Sequence, residues 1–154
     1  IAANIFNIEY PYTQAAAEVR YNIVLEGLAN ENRYIFAITL KEENELIGEI
    51  GLNIDTDHNR AEVGYWIAEN HWGKGIATEA LAAVLTFGFE SIGLNKIFAT
   101  HFLDNPSSAK VLLKNGMIKE AEFIEHYLID DAYRSSAQYR LLQSEFNAIP
   151  TTST

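Results

Sequence analysis

The sequence contains no cysteine among its 154 residues. Disulfide bonds, thiolate metal sites and a cysteine nucleophile are therefore excluded, and the chain suits a reducing compartment, which predicts a cytoplasmic location. The four histidines do not follow a metal-ligand spacing, so we expect no metal site.

A long apolar run and a secretory leader are also missing. No stretch reaches 18 apolar residues, so we expect no membrane-spanning segment and no membrane partner. The opening residues, IAANIFNIEYPYTQ, lack the basic and apolar regions of a signal peptide. Because the sequence opens on Ile1 without a methionine, we expect its natural start to lie upstream.

Positive charge is scarce. Eleven Lys and Arg stand against 21 Asp and Glu, which gives a net charge of −10 at pH 7. Such a chain repels a phosphate backbone at long range, so we expect no nucleic-acid partner. A cationic or amine-bearing partner fits the acidity, and so does the simpler interpretation that the charge only keeps the protein in solution.

Hydrophobic periodicity predicts an α+β fold. Helices are expected at 14–29, with Thr13 as the cap, at 77–93 and at 105–116; strands are expected at 34–40, 46–55, 61–68, 95–102, 117–129 and 133–143. The strand–helix–strand order over 61–102 implies a parallel pair joined by a crossover, whereas the other connections are hairpin-like.

The stretch HWGKGIATEA, residues 71–80, carries two glycines just before a predicted helix. Gly73 and Gly75 remove side chains that would block a ligand, and Lys74 adds a positive charge between them. The start of a helix presents unpaired N–H groups and a partial positive charge. With the small Ala77 and the hydroxyl of Thr78, the stretch indicates a pyrophosphate cradle. A tight turn without a ligand is the alternative.

Two common phosphate motifs do not fit this spacing. A P-loop ends in Gly-Lys-Ser/Thr, whereas here Lys74 is followed by Gly75. A Rossmann fingerprint needs glycine or alanine three residues after Gly75, where this chain has Thr78.

Several signatures in order resemble the GNAT acetyltransferases: AEVGYWI, WGKGIATEA, Asn105-x-x-Ser108 and KNGM. Within that family the chain is most similar to the branch that acetylates ribosomal-protein N-termini, over roughly residues 11–146. The resemblance implies the GNAT fold, a mixed, mostly antiparallel central sheet with a splayed parallel strand pair and flanking helices. It also implies one domain over residues 1–154, with the family's first strand and helix lying upstream.

The resemblance implies acetyl-coenzyme A as the cosubstrate. Main-chain N–H groups of the glycine stretch would hold the pyrophosphate, and the pantetheine arm would lie beside the third strand, whose main-chain groups would bond its amides. Trp72 stands where the broad family has Arg or Gln, and Met117 replaces a usual aromatic residue. The coenzyme-binding residues that the resemblance implies are Trp66, Ile67, Trp72, Gly73, Lys74, Gly75, Ile76, Ala77, Thr78, Asn105, Ser108, Lys110 and Lys114.

Acetyl transfer to an amine needs a neutral amine, a partner for the thioester oxygen and a proton for the departing thiolate. An α-amine has a pKa about two to three units below that of lysine, so it needs less help from a base. Ser108 matches a family serine near the coenzyme sulfur, and Glu62 matches an acidic position from which it would accept the amine proton. A plain helix-start serine and a solvated or paired carboxylate are the alternatives.

Three other residues remain rival bases, namely Glu49, Tyr65 and Tyr127. By family analogy the backbone N–H near Ile67 is the oxyanion partner. The segment 123–139 is expected to line the acceptor side. Ala132 and Ser136 stand near two positions where the branch often has Gly and Asp, so acceptor choice is expected to differ.

The expected function is direct transfer of acetyl from acetyl-coenzyme A to a primary amine in a ternary complex. No protein nucleophile is needed once the reactants are positioned. A protein N-terminal α-amine is the favoured acceptor, with a small amine or polyamine next. A coenzyme-binding sensor without turnover stays open, and a structural domain without ligand is the weakest alternative. An exposed sheet edge would allow a homodimer.

Overall fold

The computed structural model of the protein describes residues 14–41 and 45–148. In chain order the elements are α1 (Gln14–Ala29), β1 (Arg33–Thr39), β2 (Leu46–Asp55), β3 (Arg60–Ile67), α2 (Ile76–Thr86), β4 (Lys96–Phe102), α3 (Pro106–Lys114), β5 (Ile118–Ile129), β6 (Ala132–Leu142) and α4 (Gln143–Ala148). Short 3-10 turns at Thr56–His58 and Glu69–His71 flank β3, and a turn of π-helix at Phe87–Ile92 follows α2.

The predicted elements are confirmed, and most ends agree to within one or two residues. The largest difference is in the helix predicted at 77–93, because its last third is π-helical and ends at Gly93 in the left-handed region (φ 79°). The short α4 was not predicted. Thr13, residues 42–44 of the predicted turn and the tail at 150–154 lie outside the described residues.

The strands that the structure describes form one six-stranded sheet in the order β1-β2-β3-β4-β6-β5. Neighbouring strands are antiparallel except β3 and β4, which run parallel as the crossover predicted. This parallel pair is short, because its register begins at Arg60 opposite Lys96 and ends at Glu62 opposite Phe98. Beyond that point the strands separate, which confirms the expected splay. We call the opening the β3–β4 gap.

The two faces of the sheet carry different helices. Alternation along β3 and β4 puts odd-numbered residues such as Val63 and Ile97 on one face, where they pack in the core with Leu81 and Leu85 of α2 and Leu112 of α3. We call this the α2 face. The opposite face, here the α1 face, carries Glu49, whose carboxylate is paired with Arg20 of α1.

Apolar spacing explains why α2 forms and how it docks. Leu81, Val84 and Leu85 are buried at helical intervals and face the sheet. Within 14–41 and 45–148, no helix has the length and apolar content needed to cross a bilayer.

Candidate active site

The start of α2 is an open cradle of backbone N–H groups. Gly73 (φ 73°) and Gly75 (φ 80°) both adopt the left-handed conformation, and a Cβ built on either would meet nothing within 4 Å. Gly75 is the N-cap and makes no side-chain capping bond. The first hydrogen bond across this turn runs from Glu79 N to Gly75 O at 3.0 Å. The preceding N–H groups therefore have no acceptor inside the helix and are available to an anion.

Three lysines accompany this helix start. Lys74, Lys110 and Lys114 are exposed, and within the described part of the chain none of them forms an ion pair with a carboxylate. The end of α3 is tied to the first turn of α2, because Asn115 Nδ2 donates to Thr78 O at 3.2 Å. Lys114 immediately precedes Asn115, and Lys110 lies one turn earlier on α3. Unpaired positive charge in so acidic a chain favours an anionic ligand at this point.

The side chain of Trp72 braces the loop that leads into the cradle. Its indole Nε1 donates to Ile67 O at 2.7 Å, across the turn Glu69–His71. The residue as a whole is 56% exposed. This bond, which fixes the end of β3 relative to Gly73, was not predicted from the sequence.

The register of β2 and β3 decides which backbone groups of β3 face the gap. Ala68 N donates to Ile47 O at 2.8 Å, and Trp66 is paired with Glu49 in the same ladder. Because backbone groups alternate in direction along a strand, those of Trp66 point to β2 and those of Tyr65 and Ile67 point to the gap. Any contact of Trp66 with a coenzyme would therefore use its side chain, whereas Ile67 offers its N–H.

Ser108 lies in the first turn of α3 beside its cap. Asn105 Oδ1 accepts from Ser108 N at 3.4 Å, and Asn105 Nδ2 donates to Ser108 Oγ at 3.1 Å. Burial raises the pKa of Tyr65 to about 12, partly offset by the hydroxyl of Ser108 nearby. No atom of the described residues meets hydrogen-bond geometry with the Tyr65 hydroxyl. The two hydroxyls are thus neighbours on the α2 face without a well-formed bond.

Glu62 lies on the α1 face, at the last paired position before the strands separate. The residue is exposed, yet enough protein surrounds its carboxyl group that desolvation raises its pKa. Of the rival bases, Glu49 is held by Arg20, and Tyr127 packs edge-to-face on Phe102 at 5.9 Å between ring centroids. Glu62 is therefore the carboxylate that lies where the gap begins, and its surroundings make it easier to protonate than an ordinary glutamate.

The hairpin of β5 and β6 adds a bulge on the expected acceptor side. The register slips between Phe123 and Tyr127, and Glu125 has a φ of 47° while its N–H donates to Ser135 Oγ at 2.8 Å. Bulges of this kind redirect side chains next to functional sites. Ser136 is fully buried opposite Phe102 and Ala132 lies exposed at the hairpin tip, so these two residues do not share a surface.

Two buried polar atoms border the gap without a partner among the described residues, namely Tyr65 Oη and His101 Nε2. His101 was not predicted as a site residue, because nothing in the neighbouring sequence distinguishes it from other strand residues. Together with the open cradle, these atoms fit a long anionic ligand with polar groups along its arm, as coenzyme A has. In the described ranges no cluster of three or more His, Cys, Asp and Glu side chains could hold a metal ion.

The residues implied for the coenzyme fall in three adjoining places. They lie on the loop and first turn of α2 (Trp72, Gly73, Lys74, Gly75, Ile76, Ala77 and Thr78), at the end of β3 (Trp66 and Ile67), and on α3 with its cap (Asn105, Ser108, Lys110 and Lys114).

Comparison with known proteins gives a consistent result. A model described as "Acetyltransferase (GNAT) domain" matches residues 3–118. The chain is 41% identical over 115 residues to the uncharacterized N-acetyltransferase p20 of Bacillus licheniformis, covering 71% of this chain and 62% of that protein. It therefore spans less than two thirds of that relative.

Two further relatives have stated acceptors. The ribosomal-protein-serine acetyltransferase of Escherichia coli is 31% identical over 136 residues, covering 87% of this chain and 76% of that protein. A spermidine N(1)-acetyltransferase of Vibrio cholerae is 29% identical over 105 residues, covering 68% of this chain and 61% of that protein. In the solved structures, a probable acetyltransferase superposes with a TM-score of 0.77 at 27% identity, over 83% of this chain and 72% of that one.

Proposed function

This chain belongs to the acetyltransferase (GNAT) domain family, and on that premise we propose that it transfers an acetyl group from acetyl-coenzyme A to a primary amine. The observation that carries the proposal is the uncapped start of α2, with two open left-handed glycines, beside the β3–β4 gap. Three lysines that form no ion pair within the described residues accompany it. Such a start binds phosphate oxygens through its N–H groups. We also propose a cytoplasmic location, because a chain without cysteine suits a reducing compartment.

The coenzyme supplies an activated acetyl thioester, and the residues of the chain position it. We propose that Gly73, Gly75 and the first turn of α2 hold the pyrophosphate, and that the Ile67 N–H faces the thioester oxygen. The gap connects the two faces of the sheet. An amine would approach from the α1 face, and Glu62, five residues before Ile67 on the same strand, would accept its proton through intervening water. The departing sulfur would meet the Ser108 hydroxyl on the α2 face.

For the acceptor we propose a protein N-terminal α-amine. The support is the ribosomal-protein-serine acetyltransferase relative, of which this chain covers the larger share, together with the lower basicity of an α-amine. A polyamine is the second candidate, favoured by the spermidine acetyltransferase relative and by the net charge of −10. A dimer through a sheet edge and a single domain over residues 1–154 remain predictions.

Thiol release tests the proposal directly. The protein is mixed with acetyl-coenzyme A and a thiol-reactive dye, across N-terminal peptides, lysine peptides, polyamines and amino acids. Because the chain has no cysteine, every thiol signal comes from free coenzyme A. Release that depends on N-terminal peptides supports the proposal, and release that depends on polyamines replaces the acceptor. Tight coenzyme binding without release for any amine would leave the non-catalytic sensor as the function.

The role of Glu62 is tested by pH. Because desolvation of the carboxyl group raises the pKa of Glu62, the ionised form that accepts a proton is lost at a higher pH than for an ordinary glutamate. We expect kcat/KM to fall as the pH is lowered through that pKa. In Glu62→Gln we expect kcat/KM about a hundredfold lower and a flattened acidic limb, whereas Glu90→Gln, exposed on the π turn, serves as the unchanged control. Normal turnover in Glu62→Gln would remove Glu62 from the mechanism.

The raised pKa of Glu62 also predicts a small effect on the stability of the fold. A pKa raised in the folded state favours the protonated carboxyl, so the ionised Glu62 destabilises the fold at neutral pH. Glu62→Gln is therefore expected to raise Tm at pH 7. That difference should shrink as the pH falls below the ordinary range of a carboxyl group, which a series of melting curves would show.

A further inference from the structure

Tyr65 and His101 stand at the same level on opposite sides of the β3–β4 gap. The last paired residues are Glu62 and Phe98, and three further steps along each strand reach Tyr65 and His101. Both are odd-numbered, like the core residues Ala61 and Ile97, so both side chains lie on the α2 face. Two buried polar atoms without partners in the described chain thus border the place where the sheet lacks its hydrogen bonds.

The imidazole of His101 carries a buried acceptor. Its Nδ1 lies 2.7 Å from Phe102 O, and because a carbonyl oxygen only accepts, Nδ1 carries the hydrogen. In the neutral ring Nε2 is then the unprotonated nitrogen. The ring is held against Tyr139, with 5.4 Å between centroids. His101 therefore offers an acceptor whose orientation is fixed by two contacts.

The phenol of Tyr65 presents a donor. Burial raises the pKa of Tyr65 to about 12, so its hydroxyl keeps its proton at neutral pH. A thiol has an ordinary pKa of about 8.5, so Tyr65 is too weak an acid to protonate a departing thiolate. A role as a hydrogen-bond donor agrees better with this environment. Leaving a buried donor and a buried acceptor unpaired is unfavourable, which points to a ligand that pairs both.

We propose that Tyr65 and His101 clamp one amide group of the pantetheine arm of coenzyme A. The Tyr65 hydroxyl donates to the amide oxygen, and the amide N–H donates to His101 Nε2. An amide suits this pair because it presents a donor and an acceptor on opposite edges. The inference rests on the proposed binding of acetyl-coenzyme A.

Calorimetric titration with two ligands tests the clamp. Coenzyme A carries the arm, whereas adenosine 3′-phosphate 5′-diphosphate carries the same nucleotide and pyrophosphate without it. We expect Tyr65→Phe and His101→Phe each to weaken coenzyme A binding by about tenfold and to leave the Kd of the nucleotide unchanged. Tyr34→Phe on β1 and His58→Phe in the exposed turn before β3 are matched controls, expected to change neither Kd.

Each result decides a different question. Equal weakening of both ligands would mean that the two residues only support the fold, and an unchanged Kd for coenzyme A would mean that water or Ser108 pairs them; either result overturns the clamp. Failure of the unaltered protein to bind coenzyme A would overturn the proposed function and the clamp with it. Tyr65→Phe keeps the ring and removes one oxygen, so it carries the test even if His101→Phe does not fold.

Discussion

The two helices beside the gap begin in opposite ways. α3 has its own cap, since Asn105 accepts from Ser108 N and Pro106, which has no N–H, occupies the first turn. α2 begins at Gly75, which has positive φ, no side chain and open space where a Cβ would be. One helix start is capped by its own sequence, and the other leaves its first N–H groups without an acceptor inside the helix.

The difference between the two helix starts suggests two tasks, namely binding of an anion at α2 and positioning of Ser108 at α3. A missing cap destabilises a helix by about 1 kcal/mol, and α3 shows that this chain can supply one. At α2 the uncapped start leaves N–H groups available to the proposed pyrophosphate. At α3 the cap does a second task, because Asn105 Nδ2 also donates to Ser108 Oγ at 3.1 Å and so orients the proposed thiolate partner.

The largest expected effect comes from putting an acid at the start of α2. In Gly75→Asp the carboxylate would lie where phosphate oxygens are proposed to bind, and like charges at close range cost several kcal/mol, so we expect coenzyme A affinity to fall by more than about 100-fold. Gly93→Asp is the matched control. Gly93 has φ 79° against 80° for Gly75, with open space at its Cβ, and it lies at the far end of the π turn.

Calorimetry with coenzyme A and urea unfolding separate binding from backbone strain. Both variants are expected to lose stability, since each forces a side chain into the left-handed region. Gly93→Asp is expected to lose more, because its carboxylate lies at the C-terminal end of a helix. An equal loss of affinity in the two variants would contradict the assignment of the cradle to Gly75.

Removing the cap of α3 is expected to affect stability and turnover together. Asn105→Ala should lower the free energy of unfolding by about 1 kcal/mol and lower kcat, because Ser108 loses the amide that orients it. Ser108→Ala should lower kcat with little change in stability. Urea unfolding and steady-state kinetics measure the two effects, and a kcat in Asn105→Ala equal to that of the unaltered protein would show that the cap is structural alone.

The smallest expected effect concerns the lysines of α3. Replacing Lys110 and Lys114 by alanine should weaken coenzyme A binding by about two- to fivefold at low salt, and the difference should vanish in high salt, because exposed charges are screened. Lys119→Ala, whose lysine is already paired with Glu122, is the control. A loss that persists at high salt would indicate a packing role instead of a charge role.

Local features of the fold could be predicted from the sequence, and features set by register could not. The extent of β2 follows from the alternation within its own segment, and the cradle follows from the conformational freedom of Gly73 and Gly75. The position of His101 opposite Tyr65 depends on where the β3–β4 pairing ends. Likewise, the direction of the Trp66 backbone groups depends on the ladder with β2.

Contacts between distant segments were also beyond local patterns. The bond from Trp72 Nε1 to Ile67 O needs the intervening turn. The short α4 is anchored by Phe146, which stacks on Phe89 with 4.9 Å between ring centroids. A helix of six residues contains no local pattern that would predict this contact.

Because the β3–β4 pairing ends early, the backbone N–H groups at the end of β3 are expected to exchange their hydrogens at two different rates. Along the end of β3, the N–H groups of Gly64 and Trp66 are held by β2, whereas those of Tyr65 and Ile67 open onto the gap. In the free protein, deuterium should therefore enter alternate residues first, at positions that share the same strand and the same neighbours. A ligand in the gap should slow the fast pair and leave the slow pair as it was, so a single spectrum would report occupancy residue by residue.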